Sequence, residues 1–403
     1  MLRRNRMPRD RETLGPWRET WAAARVHRKA RAWRGCGSLY RPGVTGYTWP
    51  GRIADTNAKQ LQRVDPLTNE RLDELLAHAS RVRVLVAGDI MLDRYLGGAA
   101  TRISPEAPVP VVRVTQEWIA LGGAANVASN VVALGASCTL AGVVGNDREA
   151  AEIREALRAS GIDDAGLFTV AGRPTTVKTR IVARHHQIAR YDREVEHDLD
   201  AESASRLAVL VRELARDADV LVLEDYNKGT LTRPVIAAAI QASVESGKPL
   251  IVDPKSRGFF DYSGATVFKP NLIELESALR EPVRADDPVW MERTRRTLGC
   301  THLLVTLGEG GMSLLTESGE FLRVPTVARA VYDVSGAGDT VTAAFAVALG
   351  AGATPGEAAV FANHAAGIEV GKPGVATVTP DELRELLRER AASAADAWSH
   401  DKP

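Results

Sequence analysis

The chain has 403 residues, 45% of them hydrophobic and 25% charged, with a formal net charge of zero. That is enough for one large folded unit or two small ones, and the neutral balance gives no global pull toward nucleic acid or a membrane surface. The three cysteines, Cys36, Cys138 and Cys300, stand far apart without a CxxC pair, which argues against a zinc knuckle or disulfide framework and for a reducing, cytoplasmic compartment.

Residues 1–50 carry twelve Lys or Arg against three acids, and four tryptophans. No clean apolar segment follows the basic start, so a secretory signal is not expected. The functional reading is a basic arm for an anionic partner. The reading adopted is a disordered extension over 1–66, or upstream sequence translated from an early start codon. A single globular unit is expected over 67–390, with 391–403 as a tail.

"LTNERLDELLAHAS" has a capping Thr or Asn and helical apolar spacing. "VRVLVAGDIMLD" reads as a buried strand ending at Gly88 and Asp89, with Asp93 close behind. "VPVVRV" (109–114) and "PTTVKTRIVA" (174–183) are more polar β segments. "GGAANVASNVVALGA" is a glycine turn opening a helix, and "CTLAGVVGND" is a strand. Beyond 200, helix and strand alternate: "AESASRLAVLVRELARD", "ADVLVLEDY", "TRPVIAAAIQASVESG", "PLIVDPK", "ATVFKPN", a helix near 293–298, then "HLLVTLGEGG". Such alternation predicts an α/β fold, a mostly parallel sheet with helices on both faces. The longest apolar run, Val341 to Ala353, is shorter than the roughly 20 residues a membrane-spanning helix needs.

In such sheets ligands gather at the C-terminal strand ends. Here those ends read Gly88-Asp89, Gly145-Asn146-Asp147, Glu224-Asp225-Tyr226, Asp253-Pro254-Lys255, Lys269-Pro270-Asn271 and Thr306-Leu307-Gly308. Six polar or small endings predict one functional rim.

"DVSGAGDT" (333–340) runs a glycine-rich turn into a helix, a geometry that presents backbone N–H groups to an anion. Asp339 at its end is either a helix-start acid or a general base. No GxxxxGK[ST] phosphate loop occurs. Asn271 and Glu274 lie three apart at a strand-to-helix junction; the Glu is either a helix-dipole acid or, with the Asn, an anchor for a hydrated Mg²⁺. Lys255 of "DPK" is a possible phosphate contact. His185-His186 lacks metal-ligand spacing and reads as solvated loop.

Taken together and in this order, "LGGAANVASNVVALGA", "KPN..E" and "DVSGAGDTVTAAF" resemble the ribokinase/PfkB family of carbohydrate kinases, over about Val82 to Leu386. The resemblance implies a ribokinase-like fold with a small β lid near 94–120 and 172–195, ATP and Mg²⁺ as cofactors, room for a monovalent cation, and a homodimer through the lid. It implies Asp339 as base, with the N–H groups of Gly336, Ala337 and Gly338 as anion hole. Asn271, Leu272, Ile273, Glu274, Thr306, Gly308 and Asn363 would border ATP, Glu274 ordering Mg²⁺ waters. Asp89, Asp93, Gly122, Gly123, Asn126 and Asp225 would hold the sugar, and Lys178, Arg180 and Arg190 a substrate phosphate. Asp333 is read as a structural or cation-site residue.

A narrower resemblance rests on "RISPEAPVPVV" (102–112), "DVSGAGDT" and "EDYNKG" (224–229). It points to the family's heptose 7-phosphate kinases, with D-glycero-β-D-manno-heptose 7-phosphate as acceptor on the way to lipopolysaccharide. Glu224 departs from that pattern, where a small residue is expected, and "TLGEGG" departs from the usual nucleotide-side loop. No HxGH occurs, so a nucleotidyltransferase half is not expected. The alternatives are a kinase for another sugar or sugar phosphate, and an inactive sugar- or nucleotide-binding module.

Overall fold

Thr68 Oγ1 accepts from the Arg71 amide at 3.1 Å and opens α1, Asn69–Ala79. A computed structural model describes residues 67–183, 186–328 and 331–400, with side chains up to 392. The expectations for residues 1–66 and His185 lie outside the described residues.

After α1 come β1 (Arg83–Gly88), β2 (Ile90–Ile103), β3 (Pro110–Gly123), α2 (Ala124–Ala133), β4 (Ser137–Val144), α3 (Arg148–Ala159) and β5 (Asp163–Thr169). The chain continues through β6 (Thr176–Ala183), β7 (His186–Arg193), α4 (Ala201–Leu214), β8 (Val220–Glu224), α5 (Arg233–Ser246), β9 (Leu250–Asp253) and β10 (Val267–Phe268). It ends with α6 (Leu272–Leu279), α7 (Pro288–Leu298), β11 (His302–Thr306), β12 (Met312–Leu315), β13 (Phe321–Val324), α8 (Ala337–Gly350), α9 (Pro355–Glu369) and α10 (Pro380–His400). Side-chain oxygens of Asp147, Asp200 and Thr354 accept first-turn amides of α3, α4 and α9, and Pro355 opens α9 where no amide donor is needed.

Nine strands form one sheet in the order β13-β12-β11-β10-β9-β8-β1-β4-β5. Every pairing from β10 to β5 is parallel, while β12 and β13 add antiparallel ribbons at one edge. The period-two alternation of strands divides the core. Val84, Val86, Val220 and Val222 face the layer of α1, α2, α8, α9 and α10. Leu85, Ala87, Leu221 and Leu223 face the layer of α4, α5 and α7.

A second sheet, β3-β2-β6-β7, stands off the first. It is antiparallel except for the β2/β6 pair, and β7 is exposed along its whole length. Strand β2 leaves β1 after one residue, so Asp89 is the joint between the sheets. Strand β1 has β4 on one side and β8 on the other, which makes it the point where strand order reverses and a crevice opens.

The alternation expected beyond residue 200 is present. Three features go beyond it: the α3–β5 unit, the β12–β13 hairpin, and α10, whose helix runs on through His400 instead of giving way to a tail at 391. No helix among the described residues is long and apolar enough to cross a membrane.

Candidate active site

The crevice at β1 is closed from one side by the N-terminus of α8. Gly336 is its N-cap at φ 98°, a left-handed conformation that a side chain would strain. A Cβ there would also meet Asn126 Nδ2 at 3.0 Å. Asp339 is therefore the third residue of the helix and not its cap. The Ala337 amide bonds weakly back to Val334 O at 3.4 Å, and the amides of Gly338 and Asp339 are first-turn donors that have no partner four residues back within the helix.

Asp339 is buried, 4% exposed. Its Oδ1 accepts from the Tyr226 hydroxyl at 2.6 Å and its Oδ2 from Asn126 Nδ2 at 2.7 Å. Burial raises its pKa to about 6, against the two hydrogen bonds, which favour the carboxylate; the neighbouring Asp253 raises it further and Lys269 opposes. Asn126 is itself oriented, since Asn130 Nδ2 donates to its Oδ1 at 3.2 Å and so turns the Asn126 amide nitrogen toward Asp339.

Tyr226 was missed by sequence reasoning, which chose Asp225. The chain is extended here, so neighbouring side chains alternate between the two faces. Glu224 and Tyr226 face α8. Asp225 turns the other way, accepts from the Tyr262 hydroxyl at 2.8 Å and the Asn227 amide at 2.7 Å, and lines a separate cavity of about 410 Å³ with Asn227, Arg233 and Arg257. Burial, with Asp89 nearby, pushes its pKa up to about 6.

Beneath Asp339 lie two further buried acids, Glu224 and Asp253, with carboxylate oxygens of all three within 4.8 Å of one another. Lys269, also buried, pairs with Asp253 at 2.7 Å. Neither oxygen of Glu224 has a hydrogen-bond partner. Burial first, then Asp253 and Asp339, push its pKa well above the carboxylate range. Glu224, Asp253 and Lys269 stand on the rim read from the sequence; that they converge under Asp339 was not visible there.

Asp89 does not present a free carboxylate. It accepts the backbone amides of Tyr226 (2.8 Å), Lys228 (2.9 Å) and Thr230 (3.1 Å) and so fixes the loop that carries Tyr226. Asp93, in β2, is ion-paired with Arg180 of β6. The absent side chain of Gly122 makes room for that acid: a Cβ would lie 2.6 Å from Asp93 Oδ2. Gly123 caps α2 at φ 58°. Arg180 also lies over Tyr95, which stacks on Trp118. Lys178 pairs with Asp192 and Glu194, and the more exposed Arg190 with Asp192. The three expected phosphate cations thus share one sheet, each facing an acid.

On the other flank, Asn271 caps α6. Its Oδ1 accepts the Glu274 amide at 2.9 Å, and Glu274 Oε2 accepts the Asn271 amide at 2.8 Å, a reciprocal capping box. The second Glu274 oxygen is ion-paired with Lys255. Glu274 keeps lone pairs that fit a cation held through water, the mode Mg²⁺ favours. Thr306 bridges to Asn271, Gly308 opens the next turn with no atom near its missing Cβ, and Leu272 and Ile273 are exposed beside it. Asn363, in α9, donates to Pro325 O at 2.8 Å and fixes the segment after β13.

Asp333 accepts the amides of Ser335 (2.9 Å) and Gly374 (3.2 Å), a structural role. Behind it Glu369, fully buried at the end of α9, has no partner for either oxygen. Burial, then the Asp333 charge, raises its pKa to about 8. A carboxyl whose folded pKa lies above its unfolded value of 4.5 binds an extra proton when folded, so its contribution declines as pH rises from about 4.5 to about 8. Glu369→Gln is expected to melt like the wild type at pH 5 and on the order of 5 °C higher at pH 8. An identical melting difference at both pH values would contradict the assignment.

A parallel sheet with a strand-order switch at a buried acid, a helix N-terminus and a second, stand-off sheet defines a sugar kinase of the ribokinase-like class. Residues 82–382 match the model of the pfkB family of carbohydrate kinases, and the chain belongs to that family. Among curated proteins it is 46% identical over 323 residues to the bifunctional protein HldE of Halorhodospira halophila, covering 80% of this chain and 67% of that protein. It is 42% identical over 319 residues to HldE of Geotalea uraniireducens, covering 79% and 65%. The chain thus spans about two thirds of the length of these relatives. Among solved structures, Arabidopsis thaliana ribokinase complexed with ribose and ATP superposes with a TM-score of 0.60 at 22% identity, covering 76% of this chain and 98% of that one. Escherichia coli phosphofructokinase-2 in complex with potassium gives 0.61 at 18%, with the same coverage. At such identities these two show the fold alone.

Proposed function

We propose that the protein transfers the γ-phosphoryl group of ATP to the anomeric hydroxyl of D-glycero-β-D-manno-heptose 7-phosphate, giving the 1,7-bisphosphate. The observation that carries the kinase chemistry is Asp339: a buried carboxylate with two fixed donors, at a helix N-terminus, with a pKa near 6. It is ionised at neutral pH yet basic enough to take a proton from a hydroxyl in flight. The acceptor oxygen bonds to the γ-phosphorus as its proton passes to Asp339, and the bond to the β–γ bridging oxygen breaks, releasing ADP. The Gly338 and Asp339 amides and the α8 dipole favour the charge on the phosphoryl oxygens.

ATP is assigned to the flank of Asn271, Leu272, Ile273, Glu274, Thr306, Gly308 and Asn363. Mg²⁺, held through water by Glu274, would neutralise phosphate charge there. The sugar is assigned to the crevice between Asn126, Gly122, Gly123 and Asp93. Its 7-phosphate is assigned to Lys178, Arg180 and Arg190, whose present acidic partners a phosphate would replace. The second sheet is read as a lid that excludes water, and its exposed Ile103, Val109, Val114, Ile188 and Tyr191 as a homodimer surface. A cytoplasmic site of action follows from ATP as donor.

The heptose assignment rests on the "RISPEAPVPVV", "DVSGAGDT" and "EDYNKG" segments and on the kinship with HldE proteins. Its test is ADP release with a panel of sugars and sugar phosphates. The heptose 7-phosphate is expected to give the highest kcat/KM. Fructose 6-phosphate or ribose outperforming it would overturn the substrate and leave the chemistry standing.

A further inference from the structure

Two lysines stand at strand ends beside Asp339, and they differ. Lys269 is 2% exposed and locked on Asp253, a fixed counter-charge inside the acid cluster. Lys255, two residues beyond β9, has a side chain 29% exposed. Its ammonium is ion-paired with Glu274, on the flank assigned to ATP, and lies 5.1 Å from the centre of the Tyr226 ring. The hydroxyl of that ring donates to Asp339. One ammonium on a flexible stem therefore touches both the donor flank and the residue that holds the base.

We infer that Lys255 is the cation that meets the phosphoryl group in transit, leaving Glu274 for the phosphoryl oxygens as negative charge spreads over them. The inference rests on the kinase reading above. Lys255 exchanges hydrogen bonds and transfers no proton: the acceptor's proton goes to Asp339 and the bond electrons leave with ADP. The acids around it, Asp253, Glu274 and Glu224, raise its pKa against the opposing effect of burial, so the ammonium persists through the neutral range. A partner on each flank and partial exposure suit a group that must move by a few ångströms. Lys269 has neither.

The alternative role is structural, with Lys255 pinning Glu274 and the start of α6. The experiment compares wild type, Lys255→Met and Lys255→Arg for kcat, KM for ATP, melting temperature, and affinity for ADP with aluminium fluoride and the acceptor. Lys255→Met is expected to lose about 10²-fold in kcat, with KM for ATP changed by less than about threefold. Its binding of the fluoride complex is expected to weaken by about the same factor as kcat, and Lys255→Arg to recover part of both. A kcat within threefold of wild type, or a loss confined to KM, would overturn the inference. So would a lowered melting temperature in both variants with fluoride-complex affinity tracking that of ADP alone. Wild-type protein inert toward every sugar would instead overturn the kinase reading itself.

Discussion

Asp339→Asn is expected to fold as well as the wild type and to lose about 10³-fold or more in turnover. The fold survives because the amide can keep both neighbours: its oxygen accepts from Asn126 Nδ2, and its nitrogen donates to the Tyr226 oxygen. The substitution also removes one acid from a buried cluster of three that has a single lysine for balance, so the melting temperature should not fall. Turnover is lost because an amide cannot take the acceptor's proton. The wild-type kcat/KM should decline on the acid side with a midpoint near pH 6, as Asp339 becomes protonated. An ordinary exposed aspartate, titrating near 3.9, would leave that range flat. Tyr226→Phe removes a hydrogen bond that favours the carboxylate and should move the midpoint upward. Turnover by Asp339→Asn within tenfold of wild type would contradict the role given to this acid.

Gly88→Ala is expected to cost more than about 3 kcal/mol of stability, read by denaturant unfolding. The cause is backbone against backbone. Gly88 ends β1, and a Cβ there would lie 2.1 Å from the carbonyl oxygen of Glu224 in β8. That oxygen also accepts the Asp89 amide at 3.1 Å. Both strands are interior to the sheet, so neither can move aside. The same displacement would pull Asp89 from the three amides that hold the 226–230 loop and so carry Tyr226 away from Asp339. Residual folded protein should therefore be less active than its folded fraction predicts. Stability within 1 kcal/mol of wild type would show that the strands give way more easily than their packing indicates.

What the sequence made legible follows from what side-chain periodicity records. Continuous apolar runs located β1, β4, β8, β9 and β11, and the polar residues after them located the rim, because strand ends in a parallel sheet share one edge. Parity is weaker information. Glu224, Asp225 and Tyr226 look equivalent in a list of polar residues, yet one step along an extended chain moves a side chain to the opposite face of the sheet. Tyr226 thus reaches Asp339 while Asp225 reaches Tyr262. Pairing is weaker still. Lys178 reads as a cation free for a phosphate, yet its partner Asp192 lies on the neighbouring strand of the stand-off sheet, two residues along from Arg190, which it also meets. Likewise the acid cluster under Asp339 draws on β8, β9 and α8, which no local pattern connects. The β12–β13 hairpin was missed because "MSLLTESGEFLRV" (312–324) holds two strands of only four residues each, too short for alternation to register.

The central claim joins a base to one hydroxyl, and the product of the reaction tests that most directly. Phosphorus NMR of the product formed from ATP and D-glycero-β-D-manno-heptose 7-phosphate should show a second phosphate coupled to the anomeric proton, absent when Asp339→Asn replaces the wild type. A phosphate on any other carbon, or inorganic phosphate with the sugar unchanged, would contradict it.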